Sequence, residues 1–306
     1  MIKLPDFFIV GAPKCGTTSL YSYLSEHPQI FMSPHKEPTY FGKDLKPESP
    51  YFVRDWESYK KLFKGAEGFL RVGEASVYYM FSHSAAKEIY DFNPDSKIVI
   101  IIRNPVDMMY SLHGQLLLTG NEDVSSFESA INLEDRRRKG WDIPKEGEFF
   151  KVLFYREVAK MSEQIYRYYE LFGREQVYVM VLEEFKESPE TEFSSLLRFL
   201  EVDPGFSPDF YVKNKNKSVR IPAVQNFLRS PPPVFRKIVH KVFSSHFREK
   251  YLFPLRKRLK RFNLKEGGRG PISPQFRKRL DAEFAGEVEK LEKMLDRPIP
   301  LLRRGI

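Results

Sequence analysis

Apolar residues along this chain fall into short, almost unbroken runs set between stretches of helical spacing. Phe7-Phe8-Ile9-Val10, Lys97-Ile98-Val99-Ile100-Ile101-Ile102 and Val177-Tyr178-Val179-Met180-Val181-Leu182 are continuous, without polar alternation. That is the pattern of parallel strands buried on both faces. The full reading is strand 7–10, helix 17–26, helix 56–63, a short strand 69–73, helix 83–92, strand 97–102 and helix 105–118. A long helix over 150–172 then stops at Gly173 in the C′ position, followed by strand 177–182 and helix 189–200. Strands alternating with helices predict an α/β fold with a parallel sheet covered on both faces. Residues 120–148, polar with scattered Gly and Pro, are expected to form a mobile insert or lid. The last helix, 273–295, begins at Ser273-Pro274, an N-cap followed by proline at the first helical position.

The first strand breaks at Gly11, and a helix opens at Thr17-Thr18-Ser19-Leu20. Strand, glycine loop and helix start together aim unpaired backbone N–H groups and the positive helix end at one spot, which cradles an anion. The nucleotide-triphosphate version of this loop is G-x-x-x-x-G-K-[ST]. Gly11 and Gly16 keep that spacing, but Thr17 stands where the lysine would be and the loop's lysine is Lys14. Such a loop suits a phosphate ester whose leaving oxygen needs one mobile cation, and suits ATP–Mg²⁺ poorly. Cys15, inside the loop, reads as a small loop residue and not as a nucleophile.

The strand 97–102 ends at Arg103-Asn104-Pro105, with Pro105 in the first helical turn. Arg103 therefore lies at the carboxyl end of a strand, where open α/β sheets bind ligands. A magnesium-dependent NTPase is expected to carry an acidic residue at such a strand end; this chain carries a cation.

The run Pro13-Lys14-Cys15-Gly16-Thr17-Thr18-Ser19-Leu20 after a strand resembles the 5′-phosphosulfate loop of sulfotransferases that use 3′-phosphoadenosine 5′-phosphosulfate (PAPS). A strand followed by R-[ND]-P, with a serine eight residues past the arginine, resembles the same family's 3′-phosphate site, and Arg103 and Ser111 match that spacing. The terminal E-V-E-K-L-E-K-x-L-x-R-P-I helix adds to the likeness. It is nearest to bacterial enzymes of the heparan-sulfate-sulfotransferase-like type. The resemblance implies a three-layer P-loop-type fold related to nucleotide kinases, with a central parallel sheet flanked by helices. It also implies one domain over 1–306: a core to about 205, a cap over the cofactor mouth at about 206–270, and the C-terminal helix. The implied reaction moves a sulfuryl group from PAPS to an acceptor hydroxyl on a carbohydrate, lipid or small metabolite, without a metal.

The resemblance assigns Lys14 to the leaving oxygen, and Lys14, Cys15, Gly16, Thr17, Thr18 and Ser19 to the 5′-phosphate. Arg103 and Ser111 go to the 3′-phosphate, with Lys217, Ser218 and Arg220 where related enzymes close a basic loop over it. Glu37, in His35-Lys36-Glu37-Pro38-Thr39-Tyr40-Phe41, is similar to the E-P-x-[FY]-F segment holding the catalytic glutamate of heparan sulfate O-sulfotransferases. Glu74, in Gly73-Glu74-Ala75-Ser76, is similar to the G-E-K-[ST] segment, with Ala75 in place of the family's lysine. Either carboxylate can be the base, Glu37 ahead of Glu74; His35 and His113 are further alternatives. Two other functions stay open on the residues alone: a P-loop small-molecule kinase using ATP, or a non-catalytic nucleotide-binding protein.

The chain has 306 residues, 42% hydrophobic and 30% charged, an ordinary globular balance. No run of eighteen apolar residues and no cleavable leader is read from it, and its single cysteine suits a reducing compartment. A bacterial, cytoplasmic enzyme, or an excised catalytic domain, is the resulting expectation. Net charge of +9 points to an anionic ligand or surface. The basic segment 235–261, with helical apolar spacing, suggests weak contact with anionic membrane; no reading module for nucleic acid accompanies it.

Overall fold

The computed structural model of the chain describes residues 2–45, 52–144, 150–210 and 270–303, with short pieces at 217–219, 239, 241, 251–252, 258–259 and 264–266. The chain divides into two compact units, one of residues 1–112, 151–213 and 273–306, the other of 113–150 and 214–272.

The first unit is built on five strands: β1 Phe7–Gly11, β2 Ile30–Met32, β3 Arg71–Ala75, β4 Lys97–Ile102 and β5 Val177–Val181. They form a wholly parallel sheet in the order β2-β3-β1-β4-β5. Every residue of β1 and all of Ile98–Ile102 is buried, as their unbroken apolar runs require. The chain leaves β1 toward β3 and β2 and later returns to lay β4 on the other side. The order reverses between β1 and β4, the crevice where such sheets hold ligands. Gly73 makes the β1–β3 pairing possible, because a Cβ there would lie 2.3 Å from Cζ of Phe7.

The helices in chain order are α1 Thr17–Glu26, α2 Trp56–Lys61, α3 Ala85–Phe92 and α4 Pro105–Thr119. Then come α5 Phe127–Asn132, α6 Glu134–Arg138, α7 Tyr155–Ala159, α8 Met161–Phe172, α9 Leu182–Glu187, α10 Pro189–Phe199 and α11 Pro274–Met294. Helix α11 starts as its sequence predicts: the Ser273 hydroxyl accepts from the Phe276 amide at 3.3 Å, and Pro274 follows as the first helical residue. Its buried positions Phe276, Leu280, Phe284, Val288 and Leu291 recur at helical spacing.

Three expectations need correction. The described part of the segment, 120–144, holds two short helices, α5 and α6, and its residues are not uniformly exposed. A buried, bidentate pair organises it: Arg137 donates to both carboxylate oxygens of Glu122, at 2.6 and 2.7 Å. The helix expected over 150–172 is broken into a 3₁₀ turn at Phe150–Leu153, then α7 and α8. The break at Lys160 is tolerated because the Gln164 amide donates to the carbonyls of Glu157 and Val158, both at 3.1 Å, replacing the lost helical donors. The strand expected at 69–73 lies two residues later, at 71–75, which brings Glu74 and Ala75 into the sheet.

In the second unit, Lys217–Val219 (β6) pairs antiparallel with Leu264–Glu266 (β7). The expected loop residues Lys217 and Ser218 thus sit on a short strand; their side chains, and Arg220 altogether, lie outside the described residues. Most of the expected cap at 206–270, with the basic segment 235–261, lies outside them too.

Candidate active site

The site forms on the first unit, beyond the carboxyl ends of β1, β3 and β4. After β1 the chain turns through Gly11, where a Cβ would come 2.6 Å from Cβ of Met80, so only glycine lets the strand end pass so close. Gly16, with φ of +91°, caps α1 without any side-chain hydrogen bond, and the first turn of α1 carries no acidic residue. The leading N–H groups of α1, including those of Thr17 and Thr18, have no acceptor within the helix. An N-terminus with neither a capping side chain nor a carboxylate is left for an external anion. Thr17 is buried, Thr18 and Ser19 half-buried at the same turn.

Lys14 takes φ of +65°, a left-handed conformation that a lysine adopts only when its surroundings hold it there. Burial pushes its ammonium below the usual lysine range, and the nearby charges of Arg103 and then Lys36 push it the same way. The charges of Arg103 and Lys36 thus act on Lys14 in one loop, and the first turn of α1 adds no acidic residue to it. Cys15 does not face the cradle as a reactive group: its thiol is fully buried, its Sγ donates to the Pro13 carbonyl at 3.5 Å, and burial raises its pKa to about 12.

Arg103 is held at the end of β4 by contacts on several sides. Its Nη1 donates to the Lys14 carbonyl at 3.2 Å, tying the strand end to the phosphate loop. Asp107 lies 3.8 Å from Nη2, and Glu183, at the start of α9, lies 3.9 Å from Nε. Its Nε is buried and, among the described residues, accepted by no hydrogen-bond partner. Asn104 caps α4, its Oδ1 accepting from the Asp107 amide at 3.1 Å. Arg277 of α11 in turn pairs with Asp107 at 2.5 Å, buttressing the carboxylate beside Arg103. Ser111 follows Asp107 by four residues, so the two share one side of α4, one turn apart, downstream of Arg103 at the strand end.

The two candidate carboxylates sit in different environments. Glu74 of β3 is 0% exposed, and one of its oxygens, Oε2, accepts from the hydroxyls of Tyr59 at 2.8 Å and Tyr79 at 3.0 Å. Burial raises its pKa from 4.5 to about 7 against the opposing pull of the Ser76, Tyr59 and Tyr79 hydroxyls. Glu37 lies on the loop after β2 with φ of +67°; its side chain is 37% exposed. Its amide donates to the Ala75 carbonyl at 2.8 Å, and its Oε2 accepts from the Val77 amide at 3.0 Å. The same loop is pinned twice more: the Thr39 amide donates to the Ser76 hydroxyl at 3.0 Å, and the Phe41 amide to the Tyr79 hydroxyl at 3.2 Å. Tyr79 therefore joins Glu74 to the loop that carries Glu37.

Of the two histidines considered as bases, His113 is buried with its Nε2 at 2.8 Å from the Val124 carbonyl and its ring beside Phe127, a structural setting. His35 is exposed. Sequence reasoning passed over Lys36, Tyr59, Tyr79 and Glu183. The helix α9 that carries Glu183 begins directly at the end of β5 without a breaker residue, so no pattern announced it. Among the described residues no cluster of His, Cys, Asp or Glu is arranged to hold a metal ion, and no helix is long and apolar enough to cross a membrane.

The profile of the sulfotransferase domain family matches residues 4–256, and the chain belongs to this family. The family's activity is PAPS-dependent sulfuryl transfer, and the kinase reading is set aside. A sulfotransferase from Alicyclobacillus acidocaldarius superposes with a TM-score of 0.73 at 31% identity, covering 99% of this chain and 100% of that one. The membrane-associated sulfotransferase kil1 of Dictyostelium discoideum is 30% identical over 111 residues, 36% of this chain and 23% of that protein. The bifunctional heparan sulfate N-deacetylase/N-sulfotransferase 1 of Caenorhabditis elegans is 27% identical over 216 residues, 69% of this chain and 24% of that protein. The chain thus spans about a quarter of the length of these two curated relatives.

The raised pKa of Glu74 makes a stability prediction. The folded chain holds this proton more tightly than the unfolded one, so the contribution is complete below about pH 4.5 and is lost as pH rises through 7. Glu74→Gln cannot ionise and should remove that part of the slope. Urea midpoints measured across this window should fall less steeply for the variant; parallel pH profiles would show that Glu74 does not carry the effect.

Proposed function

We propose that this chain transfers a sulfuryl group from PAPS to a hydroxyl of a glycan or small-molecule acceptor, with Glu37 as base and Lys14 at the leaving oxygen. The observation that carries this reading is the Lys14 loop itself: an uncapped helix start, a lysine held at positive φ inside the loop, and Arg103 bonded to that lysine's carbonyl. The donor set fits a nucleotide with two separated phosphates. Backbone groups at Gly16, Thr17 and Thr18 with the Ser19 hydroxyl suit a 5′-phosphate, and Arg103 with Ser111 suits a 3′-phosphate. The buried, unaccepted Nε of Arg103 is the kind of orphan a ligand oxygen satisfies.

PAPS, when bound, supplies an activated sulfuryl group whose bond to the 5′-phosphate oxygen breaks as the bond to the acceptor oxygen forms. Lys14 stabilises the charge left on the phosphate oxygen, and its burial strengthens that interaction; one preorganised donor of this kind contributes about 3–4 kcal/mol. Glu37 takes the acceptor's proton. Its partial exposure lets an acceptor reach it, and its hydrogen bond from the Val77 amide fixes its direction. Glu74, closed off beneath the loop, holds Tyr59 and Tyr79 and through Tyr79 the Phe41 amide. That setting supports a positioning role for it. Lys217, Ser218 and Arg220 remain proposed as a second basic contact to the 3′-phosphate, and the basic segment 235–261 as a weak contact with anionic membrane. The lone, buried cysteine supports work in a reducing compartment such as bacterial cytoplasm.

Calorimetry with 3′-phosphoadenosine 5′-phosphate (PAP) and with ATP, each with and without EDTA, tests the site. PAP should bind without metal and at least about tenfold more tightly than ATP, a difference of about 1.4 kcal/mol; equal affinities would contradict the two-phosphate assignment. In an acceptor screen with labelled PAPS, Glu37→Gln should lower kcat roughly 10²–10⁴-fold with donor binding nearly unchanged. A larger loss in Glu74→Gln, at equal folded stability, would transfer the role to Glu74.

A further inference from the structure

Lys36 has no part in the reading above, yet its position is unusual for a lysine. Its side chain is only 19% exposed, and its ammonium meets Glu37 Oε1 in a close ion pair. The Lys36 charge is also felt at Lys14, where it adds to the effects of burial and of Arg103. A mostly covered ammonium thus pairs with the acceptor-side carboxylate while its charge reaches the leaving-group lysine. Like charges close enough to act on each other make a place where an added anion is favourable.

The backbone explains how Lys36 comes to be there. The Glu37 amide donates to the Ala75 carbonyl at 2.8 Å, so the loop runs directly beside the end of β3. The residue preceding Glu37 is therefore carried next to the end of β3, where Ala75 itself has no charge. The positive φ values of Glu37 and Thr39 turn the loop at this point, and the bonds from Thr39 to Ser76 and from Phe41 to Tyr79 hold it.

The geometry points to Lys36 as a further catalytic residue, one whose ammonium contacts the oxygens of the sulfuryl group during its transfer from the 5′-phosphate oxygen to the acceptor oxygen. This rests on the sulfotransferase reading of the Lys14 loop. The ammonium keeps its protons throughout; it balances negative charge on the three sulfuryl oxygens while Lys14 does so on the departing phosphate oxygen and Glu37 receives the acceptor proton. The bond to Glu37 gives Lys36 its aim before substrate arrives.

PAP lacks the sulfuryl group and PAPS carries it, so the pair isolates the contact. The test compares wild type, Lys36→Met, which keeps the stem and loses the charge, and Lys36→Arg, which keeps the charge. Affinities for PAP and PAPS are measured by calorimetry, and release of labelled sulfate from PAPS to water is followed in single turnover, so no acceptor is needed. Lys36→Met should leave PAP affinity within about twofold, weaken PAPS several-fold and slow sulfate release about 10–100-fold; Lys36→Arg should recover most of both losses. Equal weakening of PAP and PAPS would mean that Lys36 only holds the loop, and slower release with both affinities unchanged would mean that it acts only through Glu37; either overturns the proposal, as does a variant like wild type. Wild type binding PAP no better than adenosine 5′-phosphate would instead overturn the underlying assignment of Arg103, whatever the Lys36 variants do.

Discussion

Everything at this site depends on one backbone turn, the passage from β1 to α1 that leaves the first N–H groups of the helix unsatisfied and pointing at one place. Two glycines make it possible for different reasons: Gly11 because Met80 leaves no room for a Cβ, Gly16 because its φ is +91°. The turn is costly without a ligand, since the helix start has no capping side chain and its loop lysine lies in a left-handed conformation. The sheet order then adds Arg103, because the reversal between β1 and β4 sets the end of β4 beside the loop. Arg103 ties the two by bonding the Lys14 carbonyl. Asp107 and Glu183 lie beside it, and Arg277 pairs with Asp107, so the most distant helix in sequence, α11, contributes to the cofactor side of the site.

The acceptor side is organised by a second constraint, the docking of the Glu37 loop on the end of β3. Four hydrogen bonds fix it: Glu37 to Ala75, Val77 to Glu37, Thr39 to Ser76 and Phe41 to Tyr79. Two carboxylates at the same strand end, Glu74 in β3 and Glu37 on the loop bonded to Ala75, thereby acquire different characters. Glu74 is sealed, its proton favoured up to about pH 7 by burial, and two tyrosine hydroxyls occupy one of its oxygens. Glu37 is partly exposed and paired with Lys36. A shared tyrosine, Tyr79, couples them mechanically.

Much of this was legible in the chain itself. The runs Phe7–Val10 and Ile98–Ile102 read as buried parallel strands because both faces of a central strand need apolar side chains, and Gly11, Lys14, Gly16 and Arg103 follow those runs at fixed distances. Strand β2 was missed because three residues leave no periodicity to detect, and α9 because no turn separates it from β5. The break between α7 and α8 was invisible since Val158, Ala159 and Met161 are all buried and continue an apolar pattern; a side chain, Gln164, makes the interruption tolerable. Tyr59 and Tyr79 looked like ordinary core aromatics, and only the fold puts their hydroxyls on Glu74. Lys36 sat in view beside Glu37, but its burial and the reach of its charge to Lys14 depend on the fold.

The central claim is that the β1–α1 turn and the end of β4 bind one nucleotide together. Hydrogen exchange of the backbone amides, measured with and without saturating PAP, addresses it at the groups concerned. The account predicts added protection in two separate stretches, residues 14–19 and residues 103–111 from the end of β4 into α4, with little change at the Glu37 loop, which faces the acceptor. Protection confined to one of the two stretches, or spread evenly over the first unit, would contradict it.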